Sequence, residues 1–327
     1  MPKICQELNI IFMGTPEFGA IILEGLCKAD FKPILVITAP DKPVGREQIL
    51  TPPPVKILAE KYKIPILQPE KIQDVIAEIR ATSPGLVAVA AYGQILPKEI
   101  LEIPKFGCLN VHPSLLPRWR GASPIQYTIL NGDKKTGVTI MLMDEKMDHG
   151  PILSQRVIKI GENETAESLH NKLANLGGHL LLETIPKWQR GLIKPILQDE
   201  SKVTYTKILT KENGKINWKK TAEVLEREIR AFSIWPGSYT FWEKKGKSIR
   251  IKILKARVLK STGGIPYPIG KTLVAPQNEI CVQCGKGFLP GAGDFLVVAR
   301  LQLEGKKEMS SEEFLRGHPD FIGTILK

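Results

Sequence analysis

Asn110, His112 and Asp148 have the side-chain types and spacing to do chemistry in this 327-residue chain. The first two lie in Asn110-Val111-His112-Pro113-Ser114-Leu115-Leu116-Pro117, and the third opens Asp148-His149-Gly150. An amide and an imidazole can both donate to a carbonyl oxygen as it gains charge. A carboxylate can orient the imidazole or take a proton. That kit suits acyl transfer to an amine. Each residue also has a plainer use: Asn forms turns, His packs in cores, and Asp148 can cap a turn ahead of Gly150.

The chemistry depends on what positions these side chains. If Gly107 to Val111 is a strand, Asn110 and His112 leave its end pointing the same way. Pro113 and Pro117 then stop any regular continuation, because neither can donate a ladder hydrogen bond. Upstream, Leu8 to Met13 reads as a strand ending at Gly14-Thr15-Pro16-Glu17-Phe18-Gly19. Pro16 and Glu17 suit the start of a helix. Further strands are expected at Ile34 to Thr38 and at Gly85 to Ala91, the latter apolar enough to be buried on both faces. Helices are expected at Lys56 to Lys63 and Lys71 to Thr82. Alternating strand and helix predicts parallel strands under helical cover. The glycine pattern at 14–19 lacks the middle glycine of a dinucleotide fingerprint, so a nicotinamide enzyme is a poor reading.

After the central motif, Pro124 to Leu130 reads as a helix and Thr136 to Leu142 as a strand. Thr165 to Arg190 is an amphipathic helix with Leu169, Leu173, Leu176 and Leu180 at helical spacing. Pro195 and the polar run 198–202 predict a linker. A helix at Thr221 to Phe232 precedes short strands at Ser238 to Trp242, Ser248 to Leu254, Thr272 to Val274, Ile280 to Val282 and Phe295 to Leu303. Short strands with glycine-rich turns predict a small barrel of the oligonucleotide-binding kind. The expected division is residues 1–190, a linker at 191–207 and a second domain at 208–327.

Charge separates the two halves. Residues 1–205 carry 24 Lys+Arg against 22 Asp+Glu, whereas residues 206–327 carry 22 against 12. A basic domain beside a near-neutral one points to a polyanion held by one half and chemistry done by the other. Five scattered cysteines argue against a disulfide framework. Cys281 and Cys284 lack the partners of a zinc site and read as apolar cysteines, so no metal is expected. No export segment and no long apolar run is evident, which predicts a cytoplasmic protein with no membrane contact.

Several stretches together resemble the methionyl-tRNA formyltransferase family. They are Ile11-Phe-Met-Gly-Thr-Pro-Glu-Phe18, Ala91-Tyr-Gly93, Asn110-Val-His112, Ser114-Leu-Leu-Pro117, Arg118-Trp-Arg-Gly-Ala122, Asp148-x-Gly150, Ala231-Phe232 and Trp235-Pro236. The resemblance implies an α/β fold: a Rossmann-like formyltransferase domain with a mainly parallel sheet, then a small C-terminal OB-like β-barrel that helps hold tRNA. It implies transfer of the formyl group of 10-formyltetrahydrofolate to the amino group of initiator methionyl-tRNA. On it, Asn110, His112 and Asp148 are the catalytic set, and Ser114, Leu115, Leu116 and Pro117 form the folate-contacting loop. The long, proline-stiffened segment 40–54 is the loop that grips the acceptor end of tRNA, with Lys42 and Arg46 as contacts and Lys56 beside them. Glu47-Gln48 stands there in place of further basic residues. His149 carries no assigned role, and a monomer is expected. A sugar-nucleotide formyltransferase, using the same folate donor, is the rival; it needs neither the long loop nor the basic C-terminal third.

Overall fold

Apolar runs just long enough for strands, punctuated by amphipathic helices, generate the first of two units in this chain. A computed structural model gives the fold over residues 8–45, 47–261, 267–285 and 293–327. The first unit runs to Pro124 and includes Lys134–Ile160 and Leu169–Lys207; the second comprises Ile125–Asp133, Gly161–Ser168 and Ile208–Lys327.

Strands β1 (Ile10–Gly14), β2 (Leu35–Ile37), β3 (Lys42–Val44), β4 (Ile49–Thr51) and β5 (Ile66–Leu67) come first along the chain. They are followed by β6 (Leu86–Ala90), β7 (Cys108–His112), β8 (Lys135–Leu142) and β9 (Ile152–Lys159). The helices are α1 (Glu17–Lys28), α2 (Pro54–Lys61), α3 (Ile76–Ala81), α4 (Lys98–Leu101), α5 (Pro124–Leu130) and α6 (Ala166–Gln189). Seven strands make one sheet in the order β5-β2-β1-β6-β7-β8-β9. The five from β5 to β7 are parallel, and β8 and β9 are antiparallel additions at one edge. Every residue of β1 and β6 is buried, as expected for strands covered on both faces.

The chain winds from β1 outward through β2 and β5, then returns to β6 on the other side of β1. Ligands of open α/β sheets bind outside the carboxyl ends of the strands at such a reversal. Gly14, Ala90 and His112 end β1, β6 and β7 there. On the sheet's covered face α6 lies close to β7: a Cβ placed on Gly177 would stand 2.7 Å from Val111 Cγ1. Only glycine permits that approach.

The second unit has α7 (Ala222–Ala231), β10 (Ser238–Lys244), β11 (Lys247–Leu259), β12 (Thr272–Ala275), β13 (Glu279–Gln283), β14 (Phe295–Leu303), β15 (Glu308–Ser310) and α8 (Ser311–Gly317). Its strands are antiparallel in the order β10-β11-β14-β13-β12, with β15 on β14, a curled OB-like sheet. A register irregularity in β11 around Lys255 supplies the extra local twist that lets so long a strand curl. Trp242 anchors the core, with edge-on contacts to Phe314 at 6.1 Å and Phe321 at 5.1 Å between ring centroids. Thr221 caps α7, and Ser310 with Glu313 forms a capping box on α8. Both Cys281 and Cys284 are buried, and burial pushes their thiols up to about 11 and about 12.

Several local features differ from the sequence expectation, including β5, α4, β15 and α8, which it does not contain. Segment 71–82 starts as a 3-10 turn, Ile72–Val75, before α3; the Gln94 side chain accepts from the Ile72 amide there. Within segment 40–54, expected as a long proline-stiffened loop, Lys42–Val44 and Ile49–Thr51 pair as the β3–β4 hairpin; Gly45, at φ 76°, takes a backbone suited to leaving β3. Strand β9 completes the sheet edge where no strand was expected.

Candidate active site

Strand β7 delivers Asn110 and His112 by alternation, as the sequence requires. Asp148 comes from the connection between β8 and β9, at φ 49°, a left-handed backbone that a non-glycine residue adopts only when its surroundings hold it. Next to it Gly150 has no alternative, since a Cβ would lie 1.9 Å from the Leu142 carbonyl oxygen. The tight backbone approach at Gly150 folds the connection back over β7.

The three side chains meet. Asn110 Nδ2 donates to Asp148 Oδ1 at 3.3 Å, and His112 Nδ1 lies 3.5 Å from the same oxygen. The other carboxylate oxygen accepts from the Gly121 amide at 2.8 Å. His112 Nε2 donates to the Trp119 carbonyl at 3.0 Å, since a carbonyl can only accept. The imidazole side chain is 5% exposed and the carboxylate 14%. Asp148 Oδ1 can therefore exchange a proton with a group bound beside Asn110 and His112, and the second Asn110 Nδ2–H remains for a substrate oxygen.

Residues 114–118 form a short loop pinned from within. Ser114 Oγ donates to the Arg118 carbonyl. Thr139 Oγ1 donates to the Ser114 carbonyl and accepts from the Leu116 amide, and Gln155 Nε2 donates to the Leu116 carbonyl. Ser114 and Leu116 are buried, whereas Leu115 and Pro117 keep partial exposure.

Segment 191–207, expected as a linker, supplies a strap to this loop. The Trp119 amide donates to Thr204 Oγ1. The Arg120 amide donates to the Thr204 carbonyl, and the Thr206 amide to the Arg120 carbonyl. Its polar, proline-containing composition concealed those long-range bonds; the alternating threonines at 204 and 206 were the readable trace. Arg120 itself was named only within a motif, yet it is 1% exposed. Burial alone would depress its guanidinium, but hydrogen bonds and charge from Glu200 and Tyr205 hold it above its ordinary value.

His149 turns to Asp144 Oδ2, at 2.5 Å, and not toward the three converging groups. Lys42 is exposed on β3. Lys56 pairs with Asp41 at 2.8 Å, which leaves it committed within the protein. Arg46 lies outside the described residues. Among the described residues, no three His, Cys, Asp or Glu side chains converge as metal ligands, and no helix is long and apolar enough to cross a membrane.

With the geometry in place, known proteins can be set beside it. The family profile described as formyl transferase matches residues 8–185, and the formyl transferase C-terminal domain matches residues 208–319. Methionyl-tRNA formyltransferase of Citrifermentans bemidjiense is 42% identical over 321 residues, covering 98% of this chain and 96% of that protein. Its namesake in Bacillus cytotoxicus is 44% identical over 328 residues, covering 98% of each. Among solved structures, an N-formyltransferase from Helicobacter canadensis, in complex with folinic acid and dTDP-3-aminofucose, superposes with a TM-score of 0.64 at 20% identity. That match covers 89% of this chain and 98% of the other; at such low identity it speaks for the fold alone.

Proposed function

This chain belongs to the formyl transferase family, with methionyl-tRNA formyltransferases as near relatives, and from that premise we propose how it transfers a formyl group to initiator methionyl-tRNA. 10-Formyltetrahydrofolate supplies the activated formyl group. The observation that carries the reading is the convergence of Asn110, His112 and Asp148 on one carboxylate oxygen, at 3.3 and 3.5 Å.

An α-amine with a pKa near ~8 is already partly neutral at physiological pH. The protein need not generate a strong nucleophile. Asn110 donates to the formyl oxygen as charge builds on it, and His112 is the second donor once it releases Trp119. Asp148 accepts the proton that the amine sheds when its nitrogen bonds to carbon. The tetrahedral intermediate then collapses, the bond from the formyl carbon to folate N10 breaks, and the proton held by Asp148 passes to N10, releasing tetrahydrofolate. The partly exposed Leu115 and Pro117 offer a rigid apolar surface to a flat heterocycle, framed by buried Ser114 and Leu116. The loop's internal hydrogen bonds mean that packing, more than backbone hydrogen bonding, does the holding.

Residues 1–190 are the catalytic portion in this reading, 191–207 the connection and 208–327 the tRNA-holding domain. The excess of 22 Lys+Arg over 12 Asp+Glu after residue 205 supports that last assignment. So does the Arg250 guanidinium over the Tyr239 ring, at 3.8 Å from its centroid, a pairing suited to phosphate and base faces. Lys42 on β3, and Arg46 by its place in the sequence, are the acceptor-end contacts. The protein works as a cytoplasmic monomer.

The deciding experiment offers the enzyme 10-formyltetrahydrofolate with methionyl-tRNA and an amino-sugar nucleotide side by side. Formylation of the tRNA alone is expected. Preference for the sugar would overturn the assignment.

A further inference from the structure

One side chain of the strap is bonded to the catalytic turn itself. Gln198 Nε2 donates to the Asp148 carbonyl at 2.9 Å and to the Gly150 carbonyl at 2.8 Å. Its Oε1 accepts from Arg120 Nε at 3.1 Å and from Arg120 Nη2 at 2.9 Å. Both amide hydrogens and the carbonyl oxygen of this side chain are thereby used. Arg120 is fixed in turn by Glu200, whose Oε1 accepts from Nη2 at 2.7 Å, and by burial to 1% exposure.

The target of this clamp is the left-handed residue, Asp148 at φ 49°. A carboxylate on a disfavoured backbone keeps its direction only if the backbone is tied at more than one point. The Gly121 amide ties the side chain at Oδ2, and Gln198 ties the main chain on both sides of His149. Arg120 and Gly121 are adjacent, so one short stretch of loop orients the carboxylate through two routes.

We propose that Gln198, clamped by Arg120, is the positioning residue that aims Asp148 at His112 and Asn110. The inference rests on the catalytic role given to Asp148 above. Gln198 touches none of the reacting atoms; it acts through the carboxylate. Glutamate would have the same shape and keep the Arg120 contact, but it would put an acceptor against two carbonyl oxygens. Leucine would remove both contacts.

The test compares wild type, Gln198→Glu, Gln198→Leu and the neighbouring surface variant Asp199→Asn, each first shown to be folded by thermal melting. Steady-state kinetics are read on whichever acceptor the wild type formylates, so failure of the methionyl-tRNA assignment is seen separately in the wild type. Misdirecting Asp148 is expected to lower kcat by about 10–100-fold in both Gln198 variants. KM for folate and acceptor should hold, and Asp199→Asn should match wild type. Wild-type kcat in either folded Gln198 variant, a loss confined to KM, or an equal loss in Asp199→Asn would overturn the proposal.

Discussion

The carboxyl end of β7 and the β3–β4 hairpin belong to the same unit and are built in opposite ways. Around β7 nearly every polar atom is held: the imidazole by Trp119, the carboxylate by Gly121 and Asn110, the surrounding loop by Thr139, Gln155 and Thr204. Among the described residues, the hairpin is two short strands paired only with each other. It exposes Val44, Ile49 and Leu50 at 56%, 60% and 64%. Large exposed apolar groups in a cluster mark contact surfaces. The contrast fits the division of labour proposed above: chemistry where geometry is over-determined, acceptor recognition on an exposed hairpin.

Replacing Asn110 with alanine should be the most damaging single change, cutting kcat by about 10²–10³-fold through loss of one donor to the developing charge. Rapid-quench formylation with tRNA binding measured in parallel checks it; a loss of tRNA affinity of the same size would move Asn110 out of the chemistry. Next, Arg46→Ala and Lys42→Ala should raise KM for methionyl-tRNA and leave folate binding intact. Each removed phosphate contact lowers the salt slope of tRNA affinity by about 1. Equal damage to folate binding would erase the proposed boundary between the two regions.

A smaller effect concerns stability alone. Leu50→Ser removes a side chain that is 64% exposed, so unfolding free energy should stay within about 0.5 kcal/mol of wild type. A larger drop in a urea titration would show the hairpin to be packed and not free. The smallest concerns Asp41 at the hairpin's base, whose carboxyl is held below its ordinary value of 3.8 first by the Gln68 hydrogen bond and then by Lys56. A lowered folded value means the stabilisation is present above pH 3.8 and fades as pH falls through the folded value. Thermal melts below pH 4 should show a shallower acid decline in Asp41→Asn than in wild type.

The same contrast explains what could be read from residues alone. The parallel core was legible because Leu86–Ala90 is a continuous apolar run and α6 keeps its leucines at helical spacing. Asn110 and His112 were legible because strand alternation is a local rule. The strap was not. Gln198 and Thr204 act on partners 50 and 85 positions away in sequence, and no local pattern carries that distance. Strand β9 left no such pattern, because its exposure alternates along Ile152–Lys159 while its residue types do not. Helix α8 did leave a trace, since Ser310 and Glu313 have capping-box spacing.

Gly177 extends the reach of the reaction beyond anything a substrate meets. Val111 separates the two reactive side chains along the strand and faces the other way. Its γ-methyl would be 2.7 Å from a methyl added at Gly177, and a β-branched residue has little rotameric room to retreat. A single carbon introduced behind the sheet would lever Asn110 and His112 out of line together. Any side chain at Gly177 therefore presses on the strand that carries Asn110 and His112.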